Sequence, residues 1–420
     1  MTQATRVSGF TQAWRALGHW RVLSLTLLSV SSGMPLALVQ TLIPTWMASV
    51  NIDVKTIGLL TLCQLPYTFK FLWAPLIDRY APPLLGRKRG WAALTQVVLA
   101  LTTGATVFMA DRPDVAVLAA LCFALALASA TQDIALDGYA VETLRPSEVG
   151  TAVGLRTAGY RVGMWVAGNI AISLTPFLGW HGVLLAIAVA FAAFPIVTAA
   201  APEPTSNAPP VTSLRDAVWK PLKELAQRPY ALELAAFLLC FKLADNLAST
   251  LVRPFLVQHR YDALDVGIAS GTVGLIGTMA GTFMGGFLTQ GIGLRRALWA
   301  TGLLQAFSNI GYGVVAHFEP NRTLLYAATA IENGCGGLGT GAFAVLLMRL
   351  TAKEFSATQY AILSSVFALG RTVAGPMAGY AVDAVGWELF FYATVLAAAP
   401  GLALLHRFAN SLKDEPIVGT

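Results

Sequence analysis

The run from Val117 to Val141, VLAALCFALALASATQDIALDGYAV, is long and apolar enough to cross a bilayer, because a helix rises about 1.5 Å per residue and the hydrocarbon layer is about 30 Å thick. It nevertheless carries Gln132, Asp133 and Asp137. A carboxylate near the bilayer centre costs several kcal/mol, so such groups face a bundle interior or a wet cavity and mark an ion or substrate path. Their i, i+4 spacing puts Asp133 and Asp137 one turn apart on one helix face. The rest of the chain has to supply helices that keep these acids off lipid.

The chain has 420 residues, of which 56% are apolar and 12% charged. The charged share is about half that of a soluble protein, which indicates a membrane protein. At roughly 30 to 35 residues per span and loop, about a dozen spans fit. The formal charge of +6 is scattered in short clusters between apolar runs and forms no nucleic-acid face. Cys63, Cys122, Cys240 and Cys335 lie inside apolar runs with no close pair, so inert core thiols are expected, without disulfides or zinc. The first twenty residues lack an apolar signal core, and a cytoplasmic amino terminus is expected.

In chain order the hydropathy pattern predicts spans at 22–46, 54–77, 91–110, 115–140, 150–174 and 180–200, then at 230–257, 266–289, 297–316, 324–350, 357–382 and 387–408. Between the sets lies 201–229, with six prolines and several charges. The expected organisation is an amino-terminal six-helix bundle (1–200), a cytoplasmic linker (201–229) and a carboxy-terminal six-helix bundle with a short tail (230–420). Placing both termini inside leaves eighteen Lys and Arg in inner segments against four in outer loops. That bias fixes the expected topology. Within the linker, Leu214, Val218, Leu222 and Leu225 recur at helical spacing, as in a helix on the inner membrane face or a plain tether.

Other polar groups in the spans are too costly to face lipid and should converge between the halves. They are Lys70, Arg156 and Arg161 around Tyr160, Lys242 and Asp245 at i, i+3, Glu332 with Asn333, and Arg371. A cavity with both signs of charge suits a zwitterionic or anionic polar solute. Asp133 and Asp137 are the candidates for proton coupling; the competing reading of Asp137 is an ion pair with Arg156 or Arg161. Gln132 is a neutral contact for sugar or amide. Lys242 and Asp245 either bind solute carboxylate and amine or neutralise each other. Lys70, Arg161 and Arg371 are candidate anion contacts, since Arg grips a carboxylate bidentately. Trp46 and Tyr160 have faces for stacking on sugar rings, against the commoner packing role. The glycines from Gly334 to Gly341 lack a following Lys-Ser/Thr, so no phosphate loop and no cofactor are implied. They and Gly281-x3-Gly285 read as sites of close helix approach. An intramembrane transferase using Asp133 and Asp137 for a metal ranks low, because all five histidines sit at span ends.

After span two the chain reads APLIDRYAPPLLGRKRG, and after span eight GGFLTQGIGLRRA. Both resemble the loop between the second and third helices of each half in the major facilitator superfamily, through Asp78 and Arg87 to Arg89 in the first copy and Gly286, Gln290, Gly293, Arg295 and Arg296 in the second. The resemblance implies a latch in which Asp78, Arg87, Lys88 and Arg89 pair with a neighbouring helix on the inner face. The plain alternative, a positive-inside anchor, leaves Asp78 unexplained.

LPYTFKFLWAPLIDRY, SATQDIALDGYAVE, RALWATGLLQAFSNIGY, ENGCGGLGTGAFAVLLM and FSATQYAILSS are similar to segments of the AmpG-type muropeptide permeases, a branch of that superfamily. The resemblance runs from about Ser32 to Leu405 and implies an all-α, 12-helix fold of two bundles related by pseudo-two-fold symmetry. It implies proton-driven import of anhydro-muropeptides from periplasm to cytoplasm across the bacterial inner membrane, with a monomer expected. The longer members carry additional helices between the halves, where this chain has only its short linker. Carriers of acetyl-coenzyme A and importers of siderophores share the architecture and are the alternative solute classes.

Overall fold

The computed structural model describes residues 18–50, 52, 60–111, 113–204, 213–228 and 230–408. The first seventeen residues and residues 54–59 of the expected second span lie outside the described residues. No strand occurs among the described residues. Twelve helical passes follow in order: α1 (20–49), α2 (60–79), α3 (Arg87–Val107), α4 (Val115–Thr143), α5 (146–178), α6 (180–200), α7 (231–258), α8 (263–292), α9 (294–317), α10 (Arg322–Leu350), α11 (356–385) and α12 (387–408). Seven described stretches are each long and apolar enough to cross a membrane as they stand. One of these, Pro146–Ala200, holds two passes, and others are broken into shorter pieces. Thus α2 alternates short 3-10 and α segments around Pro66 and Pro75, which cannot donate helical hydrogen bonds.

The two halves repeat. Four glycines have positive φ: Gly86 and Gly179 in the first half, Gly293 and Gly386 in the second. Each matched pair is 207 residues apart. Gly86 and Gly293 start α3 and α9; Gly179 and Gly386 turn α5 into α6 and α11 into α12. These backbone angles suit a residue without Cβ. The same offset relates α4 to α10, both of 29 residues, and their caps. The Asp114 carboxylate accepts the Ala116 and Val117 amides at 2.9 and 3.0 Å, and the Asn321 side chain accepts the Leu324 amide at 3.1 Å.

Helices inside a bilayer gain little from burying apolar surface, so close van der Waals contact between small residues holds them together. A Cβ on Gly281 would lie 2.1 Å from the Gly334 carbonyl oxygen, and one on Gly285 2.1 Å from that of Leu338, which locks α8 onto α10. Gly33 and Gly163 do the same for α1 and α5. Between the halves, α5 meets α8 where Gly150 and Gly286 each approach the other's carbonyl to 2.2 Å from a built Cβ.

The apolar cores show where the halves join. One cluster, with Trp46, Leu99, Leu118 and Phe191, belongs wholly to the first half; another, with Phe255, Tyr312 and Phe391, belongs wholly to the second. At the end bearing the basic loops a third cluster is continuous across both, from Ile77 and Tyr139 to Phe237, Phe343 and Met348. The linker forms a helix, Leu214–Ala226, docked at this same end: Ala217 is buried with Phe355, and Glu224 accepts from Arg228 and from Gln359 of α11, both at 2.9 Å.

Gly285→Val is expected to lower the stability of the purified protein by at least about 2 kcal/mol, since a branched side chain there overlaps the Leu338 backbone. Gly104→Ala, which points into open space, should cause no loss. Thermal unfolding in detergent checks both.

Candidate functional site

Between the halves lies a cavity of about 1250 Å³. Its walls come from both bundles: Ser29, Ser32 and Gln40 on α1, Asp133 and Asp137 on α4, Arg156, Tyr160 and Arg161 on α5, then Ser249 and Arg253 on α7, Glu332 and Asn333 on α10, and Tyr360 on α11. Both α4 carboxylates therefore border open space within the bundle.

The acids differ in how they are matched. Asp137 lies between two cations, Arg156 with Nη2 at 2.8 Å from Oδ1 and Lys70 with Nζ at 3.8 Å from Oδ2. The ion pair with Arg156 is thus formed. Asp133, one turn deeper into the span, accepts a hydrogen bond from the Ser32 hydroxyl and has no cation within ion-pair distance among the described residues. On the other wall, Glu332 accepts the Asn333 amide at 2.7 Å, and Asn333 in turn accepts from Thr278 at 3.1 Å.

Several residues expected at the cavity are placed elsewhere. Trp46 is fully buried in the first-half core, its indole N–H donated to the Ala110 carbonyl at 3.0 Å, because an apolar ring with one satisfied donor packs best there. Gln132 turns away from the cavity and donates to Ser31 at 2.8 Å, since adjacent helical residues point about 100° apart. Lys242 and Asp245 neutralise each other at 2.7 Å, and the Lys242 ammonium also donates to the Gly336 carbonyl and the Thr340 hydroxyl, both at 2.8 Å; neither residue lines the cavity. Lys70 stands behind Asp137 and is not part of the lining either. The Arg371 side chain lies outside the described residues. Conversely, Ser29, Ser32 and Arg253 line the space without having been singled out; the cluster of small polar residues in SVSSG was the readable sign for the serines.

At the basic-loop end the cavity is closed. Asp78 accepts the amides of Ala357 and Thr358, at 3.2 and 2.8 Å, and the Thr358 hydroxyl at 2.6 Å. It caps the first turn of α11 across the divide, where orphan N–H groups and the helix dipole favour an anion. Lys88 pairs with Asp78 inside this dry site, and Glu142 joins Arg87 at 3.2 Å, Lys88 at 3.7 Å and the Ser356 hydroxyl at 2.6 Å. Gln290 adds a further tie, donating to the Ser147 carbonyl at 2.5 Å and accepting from Thr151 at 3.0 Å. Arg89 departs from the expected latch: it donates to the Ala201 carbonyl at 2.6 Å and pairs with Glu203 at 2.9 Å, because its side chain points along α6 to the start of the linker. Asp78, Glu142 and Gln290 thus tie the two bundles together at this end. Toward the other end the exposed lining residues Gln40 and Asn169 come from the first bundle and Arg253 and Gly271 from the second, each bundle keeping its own core, and the cavity opens between them.

The major facilitator superfamily model matches residues 25–331 and 247–417. The anhydromuropeptide permease of Escherichia coli K12 is 41% identical over 383 residues, covering 91% of this chain and 78% of that protein. The chain belongs to the AmpG-type permease family. A putative transporter of Rickettsia felis named AmpG 4 is 30% identical over 398 residues, covering 92% of this chain and 96% of its own. Among solved structures, the fucose:proton symporter of E. coli superposes with a TM-score of 0.70 at 12% identity, over 92% of this chain and 98% of that one, which speaks for the fold alone. This AmpG-type protein is accordingly a multi-pass membrane transporter of the 12-helix major facilitator fold.

In the permease, removing Asp78 leaves Lys88 with only its longer, 3.7 Å contact to Glu142, and breaking a dry ion pair costs about 3 to 5 kcal/mol in comparable sites. Asp78→Asn is therefore expected to loosen the closed end. With the four native cysteines replaced and Cys introduced at cavity-lining Met348, thiol labelling from the basic-loop side should rise several-fold. An unchanged labelling rate refutes the latch.

Proposed function

We propose that this permease imports anhydromuropeptides across the bacterial inner membrane, driven by protons and by alternating opening of the two bundles. The observation that carries the reading is the polar cavity, walled by both bundles and sealed at one end, in a chain 41% identical to an anhydromuropeptide permease. Sites for drug-sized ligands occupy about 300–1,000 Å³, so about 1250 Å³ has room for a sugar joined to a peptide. The positive-inside bias assigns the sealed end to the cytoplasm and the open end to the periplasm. A solute then enters from outside, and parting of the Asp78 and Glu142 ties releases it inward. One copy of the chain supplies both walls, so a monomer suffices.

Asp133 is the coupling carboxyl in this scheme. A proton arriving at Asp137 has to displace Arg156 from a 2.8 Å contact, whereas at Asp133 it meets only the Ser32 hydroxyl. Asp137 with Arg156 and Lys70 then senses the same change through electrostatics across one helical turn.

Labelled anhydromuropeptide should accumulate in proteoliposomes under an inward proton gradient, and a protonophore should abolish the accumulation. Failure of the wild type to take up the compound, with acetyl-coenzyme A or an iron chelate transported instead, overturns the substrate assignment. Asp133→Asn is expected to lose gradient-driven accumulation, at least tenfold, while retaining exchange of internal for external solute. Normal accumulation by that variant removes Asp133 from the coupling step.

A further inference from the structure

Three arginines line the cavity: Arg156, Arg161 and Arg253. Arg156 is matched by Asp137, and Arg161 also has an interaction partner. Arg253 has neither a hydrogen bond nor an ion pair with any described residue. It is exposed, yet it does not lie among inert surface groups, because Ser249 and Thr250, one turn earlier on the same face of α7, line the same space.

The residue after Arg253 sharpens the chemistry. Pro254 has no amide hydrogen, so the Thr250 carbonyl loses the donor that a regular helix supplies four residues on. The Thr250 hydroxyl gives no help, since it donates to the Asn246 carbonyl at 2.6 Å. An unpaired guanidinium fork and a carbonyl without its regular helical donor thus stand within one turn, a donor and an acceptor matching a carboxylate beside an amide N–H. That is the chemistry of a peptide end.

Position along the bundle adds a direction. Arg253 lies 22 residues beyond the start of α7, about 30 Å along the helix and near the open mouth. Asp133 and Asp137 lie ten and six residues from the closed end of α4, about 15 and 9 Å in. The cavity therefore offers an unmatched positive charge at its entrance and carboxylates in its depth.

We propose that Arg253 receives a free carboxylate of the incoming solute, fixing the peptide end of the solute at the mouth while its remainder reaches the α4 acids. This rests on the sugar-peptide reading above and specifies which group of that solute binds where. Arg253 is then a determinant of the preference for acidic over amidated solutes.

The test measures KM for uptake into proteoliposomes of a labelled anhydromuramyl peptide with free carboxylates and of the same compound with those groups converted to carboxamides. The wild type should favour the acid by about tenfold, the range expected for a charged hydrogen bond. Arg253→Gln should bring the ratio of the two KM values close to one, and Arg253→Lys should hold it between. Membrane abundance and thermal stability of each variant are measured alongside. A wild-type ratio kept by Arg253→Gln, an equal rise in both KM values, or a wild type that takes up both compounds without preference overturns this proposal alone. Uptake of neither compound by the wild type overturns the sugar-peptide reading and this proposal with it.

Discussion

A carboxylate withdrawn from water has to be answered by cations or by N–H and O–H donors, and the permease is arranged around the places where this happens. At the closed end Asp78 is answered by Lys88 and by the first turn of α11, so its partners come from both bundles. In the cavity wall Asp137 is answered by Arg156 and Lys70, all from the first bundle. The first arrangement exists only while the bundles touch; the second persists when they part. Breaking the first would expose charges that need water or new partners, the condition for a two-state switch.

Small residues supply the complementary mechanical condition. Gly150 on Gly286 brings the backbones of α5 and α8 together across the divide, and the apolar core beside them is continuous. Away from this contact each bundle has its own core and its own glycine-packed helix pair. Each bundle is thus stiff within itself and joined to the other at one end, the geometry of a rocking pair. The constant 207-residue offset between matching turns and caps shows one scaffold used twice. The two copies differ at the cavity wall: the α4 positions of Asp133 and Asp137 correspond in α10 to Thr340 and Ala344.

Much of the fold was legible because bilayer thickness fixes span length and apolar runs show it directly. The loop basics and the acids in α4 were equally open to reading, since charge stands out in such composition. Partner identity was not legible. Trp46 and Tyr160 are both aromatics in spans, yet one caps Ala110 in a dry core and the other faces the cavity. Gln132 and Asp133 are adjacent in sequence but serve different neighbours, and Lys242 found partners on α10 nearly a hundred residues away. In a helix that is apolar all round, no periodic pattern tells which face meets protein and which meets space. Arg253 escaped notice for the same reason: a single charge near a span end reads as a membrane anchor until its neighbours Ser249 and Thr250 are seen on the same wall.

Three of the cavity-lining helices contain a π-turn, at Leu38–Leu42 in α1, Val166–Ile170 in α5 and Ile268–Val273 in α8, all toward the open end. Such a turn accommodates one residue more than an α-turn, and each residue subtends about 100°. The tips of these helices are consequently indexed to their stems by chain length as well as by composition. Loss of one residue from 38–42 would swing Trp46 off Ala110 by about a quarter turn while leaving Ser32 and Gly33 where they are. Families that share the stems but differ by single residues in these turns would present different walls at the open end from the same closed base.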